Sequence, residues 1–432
     1  MTLLGRMYSP VDGSSIAVFR IGFGTVLLWE VWRYFHNQWI ESYYTGKSLY
    51  FTYPYFSWVH PWPTLQLMEW HFLFLGLCSA LVAIGLFYRI ASVGLFFAFS
   101  YIFLLEQAHY LNHFYFVILV AFSMMFIPAH RTWSLDAYFW PHPRTKNIEL
   151  WSIWLIRLQF GITYFYGGLA KFNIDWLRGY PLTDWIARDG YGRTTALFLS
   201  YSGILLDLLF VPLLLWRRTR WIGFFLAVAF NIVNSQLFHI GIFPWLMIVG
   251  TLSFFDADWP RKLVKRQSVL TKEVLQNMTT TQRIFAVFLS LFTAFQLLFP
   301  LRHILYPGVV HWTEEGHMFS WHMKLRSKSG HVEFVVKDPA SDTTWLVAPR
   351  EFLSSRQESK MSARPDMILF FAHWLHNYYF EREGITTEVY ADSFASLNGR
   401  TMQRLVDPSV NLAAVEWSWR PSSWIIPLER RR

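Results

Sequence analysis

The sequence predicts a polytopic α-helical membrane protein of about nine spans with a C-terminal extracytoplasmic α+β or β-sandwich-like domain. Three observations carry this reading. Of the 432 residues, 53% are hydrophobic and only 16% are charged, whereas about a quarter are charged in soluble domains. Several apolar runs reach the ~20 residues that cross a bilayer. After Phe299 these runs stop, and short alternating segments separated by turn residues take over.

The spans follow in order. The first covers about Ser15–Arg33, the second Leu65–Phe87, the third Ala91–Leu105 and the fourth Phe114–Ile127. The fifth is Leu150–Ala170 and the sixth Ala196–Trp216. The run from Trp221 to Phe255 is too long for one crossing, and His239 to Pro244 interrupts it. It reads as a hairpin of Trp221–Leu237 and Ile242–Phe255, and the ninth span is Arg283–Phe299. Met1 to Ser14 contains Arg6 and Asp12 but no short apolar core with a small-residue cleavage site, so no cleavable signal is expected.

Charge supports the hairpin. One set of connections holds Arg89; Arg131, Arg144 and Lys146; Arg217, Arg218 and Arg220; and Arg261, Lys262, Lys265, Arg266 and Lys272. The other set holds Lys47, Arg178, Arg188 and Arg193. The Lys/Arg bias makes the first set cytoplasmic. The N-terminus is then expected in the cytoplasm, and everything after Phe299 outside. The net charge of +9 belongs to this bias, so nucleic acid is not an expected partner; the lipid bilayer is. The single cysteine, Cys78, excludes an intramolecular disulfide and a thiolate metal cluster.

The division expected is 1–300 as the multi-span domain and 301–432 as the outer domain. His331–Lys337, Thr344–Val347 and Thr386–Tyr390 read as strands, with a turn at Asp338-Pro339. Met367–Phe380 has helical apolar spacing.

With that topology, polar residues gather at the outer face. They are Glu106, Gln107, His109, Asn112 and His113; Lys171, Asn173 and Asp175; and Asn231, Asn234, Ser235, Gln236 and His239. Polar groups inside spans are costly and face an interior or a cavity. Walled by aromatics, they have the composition of a pocket for a flat apolar ligand with a few polar handles. A lysine buried there becomes a candidate base, although a lysine at a span end ordinarily snorkels to water. His109 and His113 at i, i+4 could share a helix face as metal ligands, but no zincin motif accompanies them, and no metal is expected. Asn231, Asn234 and Gln236 read equally as interhelical glue. Arg20 and Glu30 read first as structural pairs, and the Trp312–Trp321 stretch as a junction between domain and membrane.

Tyr164 to Tyr180 holds Tyr-Phe-x-x-Gly-x-x-Lys-x-x-x-Asp-Trp-x-x-Gly-Tyr. That pattern resembles the catalytic-lysine segment of the vitamin K-dependent gamma-carboxylases. Ala17-Val-Phe-Arg20, Gly85-Leu-Phe-Tyr-Arg89, Asn112-His113, Trp133-Ser-Leu-Asp136, Asn234-Ser-Gln-Leu-Phe238, Ile240-Gly-Ile-Phe243, Trp259-Pro-Arg-Lys262 and Phe319-Ser-Trp321 resemble the family too. The likeness runs through an HTTM-type membrane part and the outer domain alike.

The resemblance implies oxidation of vitamin K hydroquinone by O2 to the 2,3-epoxide. It also implies coupled removal of a glutamate gamma-proton and addition of CO2 to a glutamate-containing peptide or protein. Lys171 matches the base on the hydroquinone, and His113 the histidine of the carboxylation half. Asn112, Tyr164 and Gln236 match positions at the vitamin K pocket; Asn231 is assigned to the pocket too, but it departs from the vertebrate pattern, which has a histidine where this chain shows Asn231. Arg20, Trp312, Phe319 and Trp321 are carried over as substrate contacts. A quinone reductase is an expected functional partner. Two rival readings stand beside this one: quinol epoxidation without protein carboxylation, and a non-catalytic membrane scaffold or transporter on the same fold. The chain is short, has no disulfide, and has no glycosylation sequon on the outer side. A bacterial inner-membrane location is expected on those grounds, or the endoplasmic reticulum in a eukaryote, with a separate propeptide-binding region absent.

Overall fold

The computed structural model describes residues 3–140, 147–238, 240–265 and 278–429. Arg144, Lys146, His239, Arg266 and Lys272 lie outside them. Among the described residues, nine principal helices precede the C-terminal domain. They are α1 (Ser14–His36), α2 (Leu65–Ile84), α3 (Tyr88–Leu104), α4 (Asn112–Phe126), α5 (Leu150–Leu169), α6 (Arg193–Leu215), α7 (Arg220–Phe238), α8 (Phe243–Thr251) and α9 (Thr280–Leu298). Five of them, α1, α2, α6, α7 and α9, are long and apolar enough to cross a membrane. The helices α3, α4 and α8 are shorter and apolar. The break expected after Leu237 is present: α7 ends at Phe238 and α8 begins at Phe243.

Local chemistry sets the ends. The Thr64 hydroxyl accepts from the Leu67 amide at the start of α2, and Gly85 closes that helix in the left-handed region. Thr279 and Gln282 form a reciprocal capping box on α9. Packing relies on close approach at small residues. A side chain at Gly250 of α8 would overlap the Phe160 ring of α5, at 1.9 Å from its edge.

The membrane part is bound by aromatics. Phe160 meets Phe19 of α1 and Phe116 of α4 edge-on, at 5.9 and 4.9 Å between centroids. Such pairs contribute about 0.5–1.5 kcal/mol each beyond area burial. A short antiparallel pair, β1 (Pro10–Asp12) with β2 (Asn147–Glu149), lies at the end opposite the C-terminal domain. Asp12 there pairs with Arg261 at 2.7 Å.

The C-terminal domain is α+β. Its sheet runs in the order β4-β3-β5-β6, all antiparallel, from β3 (Lys328–Asp338), β4 (Thr343–Val347), β5 (Glu388–Leu397) and β6 (Gln403–Arg404). Helix α10 (Pro365–Glu383) covers one face, with Phe371 and Leu375 against Phe334, Val389 and Ala391. The sandwich alternative is corrected: among the described residues this domain has one sheet, and a helix rather than a second sheet covers its packed face.

Arg20 is fully buried at the end of the bundle away from that domain. Its guanidinium donates to the Ala129 carbonyl at 2.8 Å and the Trp133 carbonyl at 2.5 Å. It also fills the space a side chain at Gly85 would need, 2.4 Å from Nη1. A substrate contact was expected of Arg20; here it braces the Ala129 and Trp133 carbonyls instead and does not line the cavity around Lys171. Arg20→Leu should lower the thermal midpoint in detergent by several degrees, since each orphaned buried group costs about 1–3 kcal/mol. An unchanged midpoint would remove the brace from this account.

Candidate functional site: a buried lysine–aspartate pair in a membrane-edge cavity

Lys171 follows α5 by two residues, where Gly167 and Gly168 let the chain press against α6. A side chain at Gly168 would come within 2.8 Å of Leu208. The lysine does not snorkel; it is 8% exposed. Its ammonium donates to the Gly167 carbonyl at 3.1 Å and to the carboxylate of Asp207 on α6. The Trp176 ring lies 5.7 Å away on a third side. Asp207 is 5% exposed and sits amid leucines in α6. Two buried opposite charges in direct contact satisfy each other, and either alone would be costly.

The loop that follows is fastened twice. Asn173 caps a short helix, accepting from the Trp176 amide at 3.0 Å, and the Trp176 indole donates to the Ser200 carbonyl at 3.0 Å. Asp175 receives a bidentate contact from Arg400, both arms at 2.7 Å, and another from Asn398 at 2.8 Å. The C-terminal domain therefore holds the loop that carries Lys171.

Around the pair is a cavity of about 340 Å³, lined among others by Tyr164, Lys171, Trp176, Asp207, Asn231, Asn234, Phe243 and Lys324. Its size falls in the usual range of about 300–1,000 Å³ for ligand sites. The Asn231 amide donates to the Tyr164 hydroxyl at 3.1 Å and to the Ala227 carbonyl at 2.8 Å. Tyr164, Lys171 and Asn231 are thus brought together.

The remaining residues are placed differently. His113 stands behind Phe243, with ring centroids 5.8 Å apart, and Phe243 forms part of the wall. Asn112 accepts from the Tyr110 hydroxyl at 2.9 Å and reaches the His322 carbonyl at 3.4 Å, so it ties α4 to the C-terminal domain. Gln236 is exposed on α7 and is absent from the lining. Trp312 lies in the core of the C-terminal domain, its indole donating to the Ile426 carbonyl at 2.7 Å. Trp321 plugs the bundle between Tyr115 and Phe116. Phe319 lines another cavity, of about 570 Å³, beneath Trp417 and Trp419. Neither Trp312 nor Trp321 lines the Lys171 cavity.

His109 and His113 do not share a helix face. His109 belongs to a 3-10 turn before α4 and packs 4.1 Å from the Tyr43 ring. Glu106 and Gln107 dock the C-terminal domain instead: Gln357 donates to Glu106 at 2.8 Å, and Gln107 to Asp366 at 3.1 Å. Burial pushes the Glu106 carboxyl up to about 6.

Asp207 was missed from sequence, although a lone carboxylate in an apolar span is itself a signal. It also lines a larger cavity of about 970 Å³ between α5, α6 and α9.

Removing one charge of the pair strands the other, at about 3–5 kcal/mol. Asp207→Leu should therefore destabilise the protein strongly. The double variant Lys171→Met with Asp207→Leu should recover much of the loss in a thermal double-mutant cycle. Additive losses would mean that the two side chains do not act as a pair.

Comparison with known proteins places the membrane part and the C-terminal domain separately. The HTTM domain family matches residues 8–259. The lumenal domain of vitamin K-dependent gamma-carboxylase matches residues 281–431. No solved structure matches the chain. With the apolar helical bundle and the Lys171 segment, these two adjoining matches establish that the chain belongs to the vitamin K-dependent gamma-carboxylase family.

Proposed function

We propose that the protein is a vitamin K-dependent gamma-glutamyl carboxylase and epoxidase. The observation that carries this is the buried Lys171–Asp207 pair in a cavity that also presents the Tyr164 hydroxyl and the Asn231 amide. The residues present fit a naphthoquinol: apolar and aromatic walls for the rings, and a few fixed polar groups for the oxygens. Vitamin K hydroquinone, when bound, supplies with O2 the strong base that glutamate chemistry needs, and leaves as the 2,3-epoxide with release of water. No side chain is basic enough to remove a glutamate gamma-proton, so the protein's task lies upstream.

Lys171 holds the proton balance at the hydroquinone hydroxyl. In their direct contact Asp207 can accept a proton from the Lys171 ammonium, which leaves a neutral amine able to take up the hydroquinone proton. Tyr164, positioned by Asn231, offers a hydrogen bond to a quinol oxygen. His113, on the far side of Phe243, serves the carboxylation half, where CO2 joins the glutamate carbon. The aromatic walls keep bulk water from that carbon.

This reading takes all nine helices as spans, the N-terminus as cytoplasmic, and residues 301–432 as an outer domain beyond a catalytic membrane domain of residues 1–300. The basic residues Arg89, Arg131, Arg217, Arg218, Arg220, Arg261, Lys262 and Lys265 support that orientation by their bias to one set of connections. The substrate is a glutamate-containing peptide or protein, and a quinone reductase regenerates the hydroquinone. A bacterial inner membrane is the proposed location.

Purified wild type should convert reduced vitamin K to epoxide and fix labelled CO2 into a glutamyl peptide. Lys171→Ala should lose both products by at least a hundredfold, the scale of a positioned acid–base group. His113→Ala should lose the label and keep the epoxide. Epoxide without label in wild type would leave an uncoupled quinol epoxidase. Full activity in Lys171→Ala would overturn the assignment.

A further inference from the structure

The segment from Glu314 to Lys324 runs along the domain–membrane junction with an unusual backbone. Glu314, Phe319, Trp321 and Lys324 all have positive φ without being glycine, at 65°, 61°, 60° and 52°. Such conformations are uncommon outside glycine and persist where the surroundings over-determine them. The anchors are plain: Trp321 is buried in the bundle and Leu325 packs against Trp176 and Ile204. Between them, the chain delivers Lys324 to the wall of the Lys171 cavity.

Neighbouring cations are already matched. Lys171 has Asp207, and Arg33 has Glu30 at 2.5 Å. Arg326 and Lys328 share Glu314. Lys324 has no ion pair among the described residues; its ammonium lies 5.8 Å from the Phe238 ring. Together with Arg33 it acts electrostatically on His113. The side chain is exposed at the cavity edge. An ammonium with no carboxylate partner, exposed at the edge of an apolar cavity, favours the arrival of an anion through a charge-assisted hydrogen bond.

We propose that Lys324 is the carboxylate-recognising cation of this cavity, receiving the side-chain carboxylate of an acidic residue on the substrate peptide. The inference rests on the carboxylase reading above and deepens it. A cation at this point would orient a glutamate side chain toward the quinol site. It would also tolerate the second carboxylate that CO2 addition places on the same carbon.

The test is equilibrium binding of two short fluorescent peptides, identical except for one glutamate or glutamine, to the purified chain in lipid nanodiscs. Wild type should bind the glutamyl peptide roughly tenfold more tightly, the scale of one charge-assisted contact. Lys324→Met should bind both alike with an unchanged thermal midpoint, and Lys324→Arg should keep the preference. A preference that survives in Lys324→Met would overturn the proposal, as would a wild type with no preference. The failure of each idea is distinguishable. Epoxide and label from a wild type whose preference ignores Lys324 would sink the recognition role alone. A Lys324-dependent preference without either product would sink the carboxylase reading and leave a carboxylate-binding site.

Discussion

The contact between Lys171 and Asp207 constrains everything around it. Bringing an ammonium and a carboxylate into an apolar bundle is costly, and only direct contact with further hydrogen bonds offsets that cost. Three features of the fold serve this contact. The Gly167-Gly168 step lets α5 and α6 approach. The Gly167 carbonyl supplies a second acceptor. Trp176, fixed by Ser200, closes the space above the lysine. A buried pair is weak evidence for stability as such, and its presence in an otherwise apolar span is what motivates the catalytic reading proposed above.

The C-terminal domain is part of this arrangement rather than an appendage. Its Arg400 and Asn398 grip Asp175, four residues beyond the lysine. Its Trp321 fills the bundle beside Phe116, and the backbone of His322 meets Asn112 at the head of α4. Glu106 accepts from Gln357, and Gln107 donates to Asp366, of the same domain. Anything that shifts the domain therefore shifts the lysine loop.

How much of this was legible in the sequence follows from range. Helix positions were readable because an apolar run is a local signal. The hairpin was readable because Gly241 and Pro244 interrupt one run and the charges beyond it demand a turn. Lys171 was readable as the odd cation at a span end. Asp207 was not, because its meaning lies in a partner 36 residues away. Arg20 read from its residues as a structural group and from the resemblance as a substrate contact; its partners, the carbonyls of Ala129 and Trp133, are invisible in sequence. The core position of Trp312 was unreadable for a similar reason: its partner, the Ile426 carbonyl, is 114 residues distant. The i, i+4 spacing of His109 and His113 implied a shared helix face, and a helix start at Asn112 removed it.

The central claim is that the Lys171 cavity is where the quinol binds, although a larger cavity adjoins it through Asp207. Photoaffinity labelling with an azido-naphthoquinone, followed by mass mapping of the modified peptides, tests it directly. Adducts on Tyr164, Trp176, Asn231 or Phe243, displaced by excess vitamin K, are the expected result. Adducts confined to Trp154, Leu289 and Leu297 in the cavity beside α9 would contradict the account and move the quinol site to the other face of Asp207.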